Sequence, residues 1–267
     1  MQLQDKTLVI TGASGGIGQA LAAQLAAAGA RLLLTGRDEE KLMQLVAELP
    51  GGAGQHLVLE ANLQEQAGVE DLCSFCQELP SGIQGLVNNA GVCDFGLLQD
   101  MSNTEISATV LLNLAVPMIL TSRLLPLLLQ EKEGLLLNIG SVLGAIGHPG
   151  FDVYSASKAG LERFSESLQR ELADSNVHVM HFNPRATHTS MNSPAVIAMN
   201  MAMGVKSDEP AAVADVIIRR IKANQFSRAS MGWPEKLFVR VNALLPTIVD
   251  KSFNRKLELI KRYATAE

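Results

Sequence analysis

The 267-residue chain contains few charged and few aromatic residues, 18% and 4% of its length. Its 22 basic residues are outnumbered by 27 acidic ones, and the formal net charge is -5. A chain without a basic excess has no positive face to neutralise phosphates, which argues against a nucleic-acid partner. The 47% hydrophobic content is instead typical of a globular protein with a sizeable core.

Cysteine is also scarce, and three residues supply no disulfide framework, which favours a reducing cytoplasm. Cys73 and Cys76 lie in a helical pattern without a second ligand pair, so we interpret them as packing residues and predict no metal site. Two prolines and Arg123 interrupt the most apolar stretch, Leu111 to Leu129, which argues against a transmembrane segment. The N-terminus runs directly into a strand-like segment, so we expect no targeting leader and a cytoplasmic location.

Short apolar runs alternate with helical patterns along most of the chain. The runs predict seven strands, at Lys6–Thr11, Arg31–Thr35, His56–Ala61, Ile83–Asn88, Leu135–Ile139, Val177–Phe182 and Arg228–Gly232. The predicted helices include Gln19–Ala28, Asp38–Leu49, Glu65–Leu79, Thr104–Gln130, Phe151–Ala173 and Pro210–Ala223. This alternation indicates an α/β protein with a Rossmann-type, doubly wound parallel sheet and helices on both faces. We expect one domain over residues 1–267.

Two segments depart from the alternation. Residues 184–207 are irregular and rich in Met, which suits either a flexible apolar substrate lid or the core packing of short helices. Residues 233–267 form a helical C-terminal extension. Its apolar stripe consists of Val249, Phe253, Leu257 and Ile260. Such an amphipathic stripe can pack on its own domain, on a partner subunit or, as a peripheral contact, on a membrane surface.

The glycine pattern Gly12-x-x-x-Gly16-x-Gly18 lies between the first predicted strand and the first helix. In that context, glycines let a dinucleotide pyrophosphate approach the free N–H groups of the helix N-terminus. The second strand ends without a carboxylate, and Arg37 is the first charge after it. Guanidinium suits a ribose 2′-phosphate, so NADP(H) is favoured over NAD(H), although the adjacent Asp38 leaves NAD(H) open.

Tyr154 and Lys158 are four residues apart at the start of a predicted helix, so they share one helix face. A nearby ammonium favours the ionised form of a phenol, and such a pair can exchange a proton with a carbonyl or an alcohol. Alone, this spacing is more often an ordinary helix surface.

Several separately spaced motifs together resemble the short-chain dehydrogenase/reductase family, in the subtype of about this length. They are Thr11-Gly12-Ala13-Ser14-Gly15-Gly16-Ile17-Gly18, Asn88-Asn89-Ala90-Gly91, Asn113, Ser141 and Tyr154-x-x-x-Lys158. The resemblance covers residues 6–232 and implies an oxidoreductase that uses a nicotinamide dinucleotide.

The resemblance also implies roles for single residues. Tyr154 corresponds to the general acid/base, and Lys158 to the residue that binds the nicotinamide ribose and lowers the tyrosine pKa. Ser141 corresponds to the hydroxyl that polarises the substrate carbonyl, and Asn113 to the residue that anchors a relay water. The expected cofactor-binding residues are Gly12, Ser14, Gly16, Ile17, Gly18, Arg37, Asn62, Asn89, Ala90, Gly91, Tyr154, Lys158, Pro184, Thr187 and Thr189.

Two positions depart from the family pattern. Asn62 replaces the usual aspartate after the third strand, where an amide still forms hydrogen bonds. Arg185 replaces the usual glycine after the sixth strand, where it could contact a phosphate or a carboxylate, or point outward.

These observations predict an NADP(H)-dependent enzyme that interconverts a ketone or aldehyde with an alcohol. The Met-rich lid and the amphipathic tail favour an apolar, acyl-chain or lipid-like substrate. The alternatives are an NAD-linked alcohol dehydrogenase and a non-catalytic dinucleotide sensor on the same fold. We expect a homodimer, because the tail would obstruct one tetramer contact usual in the family.

Overall fold

The computed structural model describes residues 1–233 and 235–265. The strands are β1 (Thr7–Thr11), β2 (Arg31–Gly36), β3 (Leu57–Glu60), β4 (Gly85–Asn88), β5 (Gly134–Ile139), β6 (Val177–Asn183) and β7 (Ala229–Ser230). They form one sheet in the order β3-β2-β1-β4-β5-β6-β7, and every neighbouring pair is parallel. Successive strands are added on one side of β1 up to β3 and on its other side from β4 onward. A crevice therefore opens at the carboxyl ends of β1 and β4. The predicted doubly wound fold is confirmed.

Helices cover both faces of the sheet. They are α1 (Gly16–Ala27), α2 (Glu39–Glu48), α3 (Gln66–Glu78), α4 (Asn103–Val110), α5 (Val116–Gln130), α6 (Val142–Ala145), α7 (Asp152–Glu171), α8 (Pro194–Ala202), α9 (Pro210–Lys222), α10 (Glu235–Leu244) and α11 (Pro246–Ala264). Side chains alternate along each strand: Leu8 and Ile10 join the core beneath α1 and α9, whereas Val9 joins the core beneath α3 and α5. Burial of each such side chain contributes about 1.5–3 kcal/mol.

The predicted helix Thr104–Gln130 is interrupted. A π-helical turn, Leu111–Ala115, separates α4 from α5, and it contains the buried Asn113. Within the described residues, Asn103–Gln130 is one weak candidate for a membrane span, with a mean hydropathy of 1.7. Its inner side chains, including Leu120 and Leu124, are fully buried in the core beneath α5, as expected for a core helix.

Three other boundaries differ from the prediction. The His56 side chain accepts a hydrogen bond from Leu32 N and lies 2.8 Å from Pro50 O, and β3 begins one residue later. The seventh strand shortens to Ala229–Ser230. The segment 184–207 is not wholly irregular, because Ser193 caps α8 by accepting from Val196 N.

The C-terminal extension folds back as a helical hairpin of α10 and α11. Val249 and Ile260 of the predicted stripe are buried, and Phe253 and Leu257 are half-buried. Phe253 packs with residues of α6 and α8, so the stripe lies on its own domain. Pro234, Ala266 and Glu267 of the predicted extension lie outside the described residues.

Candidate functional site

The glycine loop and the Asn-Ala-Gly turn are joined at the carboxyl ends of β1 and β4. The hydroxyl of Thr11 accepts from Asn89 N and Ala90 N at 3.0 Å, and the Asn89 amide donates to the carbonyls of Thr11 and Gly12 at 3.0 Å. Gly12 has φ +62°, and a Cβ there would lie 2.8 Å from Ala90 Cα. Glycine is therefore required where the two loops meet.

The same loop fits a dinucleotide pyrophosphate. Ser14, Gly16 and Ile17 line a large cavity at the N-terminus of α1, whose first N–H groups have no helical partner. A Cβ on Gly16 would come within 2.8 Å of Thr189 Cγ2, across this narrow part of the cavity. Gly18 does not line the cavity; it is buried where a Cβ would strike Gly12 O.

The end of β2 places Arg37 on the cavity wall with an exposed side chain. Arg37 forms no ion pair with any side chain that the structure describes. Asp38 caps α2 by accepting from Lys41 N at 3.0 Å, and its carboxylate pairs with Lys41 Nζ at 2.6 Å. These contacts with Lys41 lower the pKa of the Asp38 carboxyl. Asp38 is therefore engaged as a helix cap, whereas Arg37 remains available to an anion.

Asn62 lies where a cofactor-binding amide was predicted, after β3 and on the cavity wall. Its amide donates to Glu65 Oε1 at 2.6 Å, and its carbonyl oxygen accepts from Gln64 N at 3.2 Å. These bonds order the turn before α3, and they leave one amide hydrogen for a ligand.

Tyr154, Ser141 and Lys158 meet at the carboxyl end of β5. The Ser141 side chain lies close to the Tyr154 hydroxyl, and it caps α6 by accepting from Leu143 N at 3.1 Å. Lys158 is buried, and its Nζ donates to Ile139 O at 3.0 Å and lies 5.9 Å from the Tyr154 ring centroid. All three residues line the cavity.

The Asn113 side chain is fully buried and does not line the cavity. Its amide oxygen accepts from Val92 N at 2.9 Å, and its amide nitrogen donates to Val92 O at 2.8 Å and to Ser157 Oγ at 3.2 Å. The Ser157 hydroxyl donates in turn to Tyr154 O. Asn113 therefore ties the loop after β4 to the first turn of α7, and its amide forms hydrogen bonds with protein groups on both sides.

Burial shifts the pKa values of Tyr154 and Lys158 in this cluster. Burial of the phenol raises the pKa of Tyr154, and the neighbouring Cys93 raises it further, while the hydrogen bond from Ser141 opposes the increase. Burial also lowers the pKa of Lys158 to about 8. Desolvation of the phenol dominates the tyrosine pKa in this arrangement, and the lowering of that pKa by Lys158 stays a prediction. Tyr154 holds its proton at neutral pH.

The carboxyl end of β6 closes the cavity on the other side. Pro184, Thr187 and Thr189 line it, and the Thr187 hydroxyl donates to Arg185 O at 2.8 Å. Arg185 donates to both carboxylate oxygens of Asp208 and pairs with Glu235 at 3.4 Å. The residue that replaces glycine thus forms an ion pair within the protein, at the base of the segment 184–207.

An apolar lobe extends the cavity beyond Tyr154, and the whole space has a volume of about 1260 Å³. Side chains from α6, α8, α10 and α11, from the connection between α6 and α7, and from the end of α8 line this lobe. They are Leu143, Ile146, Phe151, Val196, Met199, Met203, Phe238, Val249 and Phe253. The C-terminal hairpin thus supplies part of the wall, which the sequence pattern did not indicate. Met201 of the Met-rich segment 184–207 is 77% exposed.

His148 and Lys256 lie at this lobe, although neither was predicted as a site residue. The His148 ring contacts Phe253 and Phe151 with centroids 5.0 and 5.3 Å apart, and its Nδ1 lies 2.7 Å from Pro149 O. Burial lowers the pKa of His148, so the ring is neutral at neutral pH. His188 is exposed and does not line the cavity.

A chain of buried polar residues runs beneath the site from β4 to α7. The chain consists of Asn88, Asn138, Ser165, His181, Asn183 and Glu162. His181 bonds Ser165 at 3.0 Å and Asn183 at 2.9 Å, and a Cβ on Gly140 would overlap both His181 and Asn183. This network supports the turn before Ser141, and no local sequence pattern identifies it.

Cys73 and Cys76 are buried in α3, and burial raises the pKa of both thiols. Within the described residues, no group of three His, Cys, Asp or Glu side chains is arranged to hold a metal ion.

The chain is similar to known proteins over most of its length. A family model described as short chain dehydrogenase matches residues 6–199. Nodulation protein G of Rhizobium sp. (strain N33) is 38% identical over 191 residues, which are 71% of this chain and 76% of that protein. A 3-oxoacyl-acyl-carrier-protein reductase of Aquifex aeolicus (strain VF5) is 33% identical over 212 residues, 79% of this chain and 84% of its own.

Solved structures share the whole architecture. A short-chain dehydrogenase from Sphingobium yanoikuyae in complex with NADPH is 27% identical, has a TM-score of 0.76, and is aligned over 92% of this chain and 95% of its own. A short-chain dehydrogenase/reductase from Burkholderia phymatum in complex with NAD is 23% identical and has a TM-score of 0.79. It is aligned over 97% of this chain and 96% of its own, and at this identity the similarity supports the fold only. This chain belongs to the short-chain dehydrogenase/reductase family and is an oxidoreductase that depends on a nicotinamide dinucleotide.

Proposed function

We propose that this protein is an NADP(H)-dependent reductase that interconverts a ketone or aldehyde and its alcohol. The observation that carries the proposal is the meeting of Tyr154, Ser141 and Lys158 on one wall of a cavity whose other end is the glycine loop. A sensor would need the loop but not this cluster, which argues against the non-catalytic alternative.

The cofactor preference rests on Arg37. Its guanidinium lies on the cavity wall without an ion pair among the described residues, whereas Asp38 caps α2 and pairs with Lys41. A 2′-phosphate would supply the missing partner. One observation favours the NAD(H) alternative: Glu60 and Asp71 line a smaller adjoining pocket with Arg37, and acidic groups there suit a ribose hydroxyl better than a phosphate.

When bound, the nicotinamide dinucleotide would supply the hydride that the carbonyl carbon receives. Tyr154, which holds its proton at neutral pH, donates that proton to the carbonyl oxygen. The Ser141 hydroxyl donates a hydrogen bond to the same oxygen as charge develops. Lys158 would bind the nicotinamide ribose and return a proton to Tyr154, and Asn113 would hold Val92 and Ser157 in the positions that this requires.

The substrate is proposed to be apolar, as an acyl chain or lipid-like ketone is. Support comes from the aliphatic and aromatic lobe beyond Tyr154, to which Val196 and Met199 of α8 and Phe253 of α11 contribute. In this proposal the segment 184–207 acts as the lid.

We also propose a cytoplasmic homodimer. Met118 and Ile119 on the outer face of α5 are 41% and 42% exposed, and a second copy would cover them. Light scattering of wild type and of Met118→Glu with Ile119→Glu tests this; a monomeric wild type would contradict it.

The function is tested by NADPH and NADH oxidation with a series of ketones from small and polar to long-chain. We expect NADPH to be the better donor and long-chain ketones to have the higher kcat/KM. A preference for small polar ketones would overturn the substrate assignment, and no turnover of any carbonyl would overturn the reductase assignment.

A further inference from the structure

The α10–α11 hairpin exposes an unusually large apolar surface. It consists of Trp233, Leu237, Phe238, Leu244, Leu245 and Ile248, which we call the hairpin apolar surface. Trp233 is 70% exposed, Leu244 is 79% exposed, and the other four are about half exposed. None of the described side chains of α10 is buried. Contiguous exposed apolar patches of this kind mark interaction sites, unlike single exposed residues.

The arrangement of these residues is directional. Leu237 and Leu244 recur at i and i+7 and so lie on one side of α10, and Leu245 directly follows the end of that helix. The helix contacts its own domain through Val239 and Val241, which pack on a small core cluster. Asn242 also donates to Ala145 O at 3.3 Å. Residues 243–248 are all exposed and form the tip of the hairpin, and residues 241–249 contain no charge.

The charge of the hairpin is opposite to that of the whole protein. Residues 235–265 contain seven basic side chains and only three acidic ones, although the full chain has a net charge of -5. The basic side chains are Lys236, Arg240, Lys251, Arg255, Lys256, Lys261 and Arg262. Lys236 and Arg240 are exposed beside the apolar side of α10, and Lys251 follows the tip.

We propose that the α10–α11 hairpin docks on the surface of an anionic lipid bilayer. Leucines and isoleucine at the tip would enter the acyl boundary, Trp233 would lie at the headgroup level, and the lysines and arginines would contact lipid phosphates. A second copy of the chain fits this surface less well, because a two-fold pairing of hairpins would bring the same basic side chains together.

Docking would also place the substrate lobe next to the bilayer. Phe238 belongs to the hairpin apolar surface and also lines the cavity, so the two are continuous. An apolar ketone could then pass from the lipid to Tyr154. This consequence rests on the proposed function, whereas docking itself does not.

The test is co-sedimentation of the full chain with vesicles of phosphatidylcholine alone and of phosphatidylcholine with phosphatidylglycerol. We expect binding to the anionic vesicles, weakened by salt. Leu244→Glu with Leu245→Glu should reduce the bound fraction about tenfold or more, because charged residues replace the inserted leucines. Met43→Glu, which changes a similarly exposed residue of α2, should bind as wild type does.

A second variant, Lys236→Glu with Arg240→Glu, separates charge from apolar contact and should also weaken binding. Cofactor binding and thermal unfolding of each variant report whether it is folded. Wild-type protein that stays in the supernatant with anionic vesicles at low salt would overturn docking. Docking would also be overturned if the wild-type protein were a dimer that did not bind vesicles, and if Leu244→Glu with Leu245→Glu made it monomeric. That result would assign the hairpin apolar surface to a second copy of the chain. Neither result depends on turnover of any substrate.

Discussion

Arg185 donates to the two carboxylate oxygens of Asp208 at 2.6 and 2.7 Å, across the base of the segment 184–207. An isolated parallel β-bridge joins the backbones of Thr187 and Asp208 beside this ion pair. Glu235 of α10 approaches the same guanidinium at 3.4 Å. The ion pair therefore fastens both ends of the proposed lid to each other and to the C-terminal hairpin.

Arg185→Ala should destabilise the protein by about 1–3 kcal/mol, because it leaves the largely buried carboxylate of Asp208 without its bidentate partner. We also expect a higher KM for the ketone, since the lid would lose its fixed base. Urea unfolding and steady-state kinetics measure the two effects. The double variant with Asp208→Ala should cost less than the sum of the single variants; additive costs would contradict the ion pair.

Arg37→Ala should weaken NADPH binding on the order of tenfold or more, through loss of a charge-assisted contact with the 2′-phosphate. NADH, which lacks that phosphate, should bind as before. Fluorescence titration of both dinucleotides measures this, with Arg31→Ala, a similarly exposed arginine near Asp5, as the control. Equal affinities for the two dinucleotides, unaffected by Arg37→Ala, would favour the NAD(H) alternative.

The reduction should be pH-dependent through Lys158. Its pKa is lowered to about 8 by burial, so the ammonium is present below that pH and is lost above it. We expect kcat/KM for the ketone to be level near neutral pH and to fall as the pH rises through about 8. Lys158→Arg stays protonated and should lack this decrease, at a lower plateau. An unchanged decrease in that variant would assign it to another group.

The buried network predicts loss of stability in mild acid. Burial lowers the pKa of His181 to about 4, whereas a histidine in an unfolded chain titrates near 6.5. Between these values the unfolded state binds a proton that the folded state does not, so stability decreases as the pH falls from about 6.5 towards 4.

Urea unfolding at several pH values measures this decrease. His181→Asn should show a smaller decrease than wild type, because asparagine does not titrate. His178→Asn, which replaces a partly exposed histidine of the same strand, should keep the wild-type decrease. An equal decrease in stability with falling pH in all three proteins would show that His181 is not its cause.

Local patterns predicted the parts of this molecule that local chemistry determines. The glycines at 12, 16 and 18 and the pair Tyr154 and Lys158 are short-range motifs. The structure brings all of them except the buried Gly18 to one cavity. Apolar runs predicted the seven strands because a parallel sheet buries both of its faces.

Contacts between distant residues were not predictable in this way. Arg185 and Glu235 are fifty positions apart, and no local pattern in either segment predicts that they form an ion pair. The sequence also did not show the direction of the tyrosine pKa shift, because spacing reveals that Lys158 is near but not how strongly both groups are desolvated. The position of Phe253 on the cavity wall could not be predicted either, because it depends on how the whole C-terminal hairpin folds.

The most direct test of the account is Tyr154→Phe, assayed for both NADPH binding and ketone reduction. The variant removes only the hydroxyl that Ser141 contacts, and the ring packing against Phe151 remains. The account predicts NADPH affinity close to that of wild type and a fall in kcat of roughly 10²–10⁴-fold. Turnover equal to that of wild type would show that Tyr154 does not donate the proton.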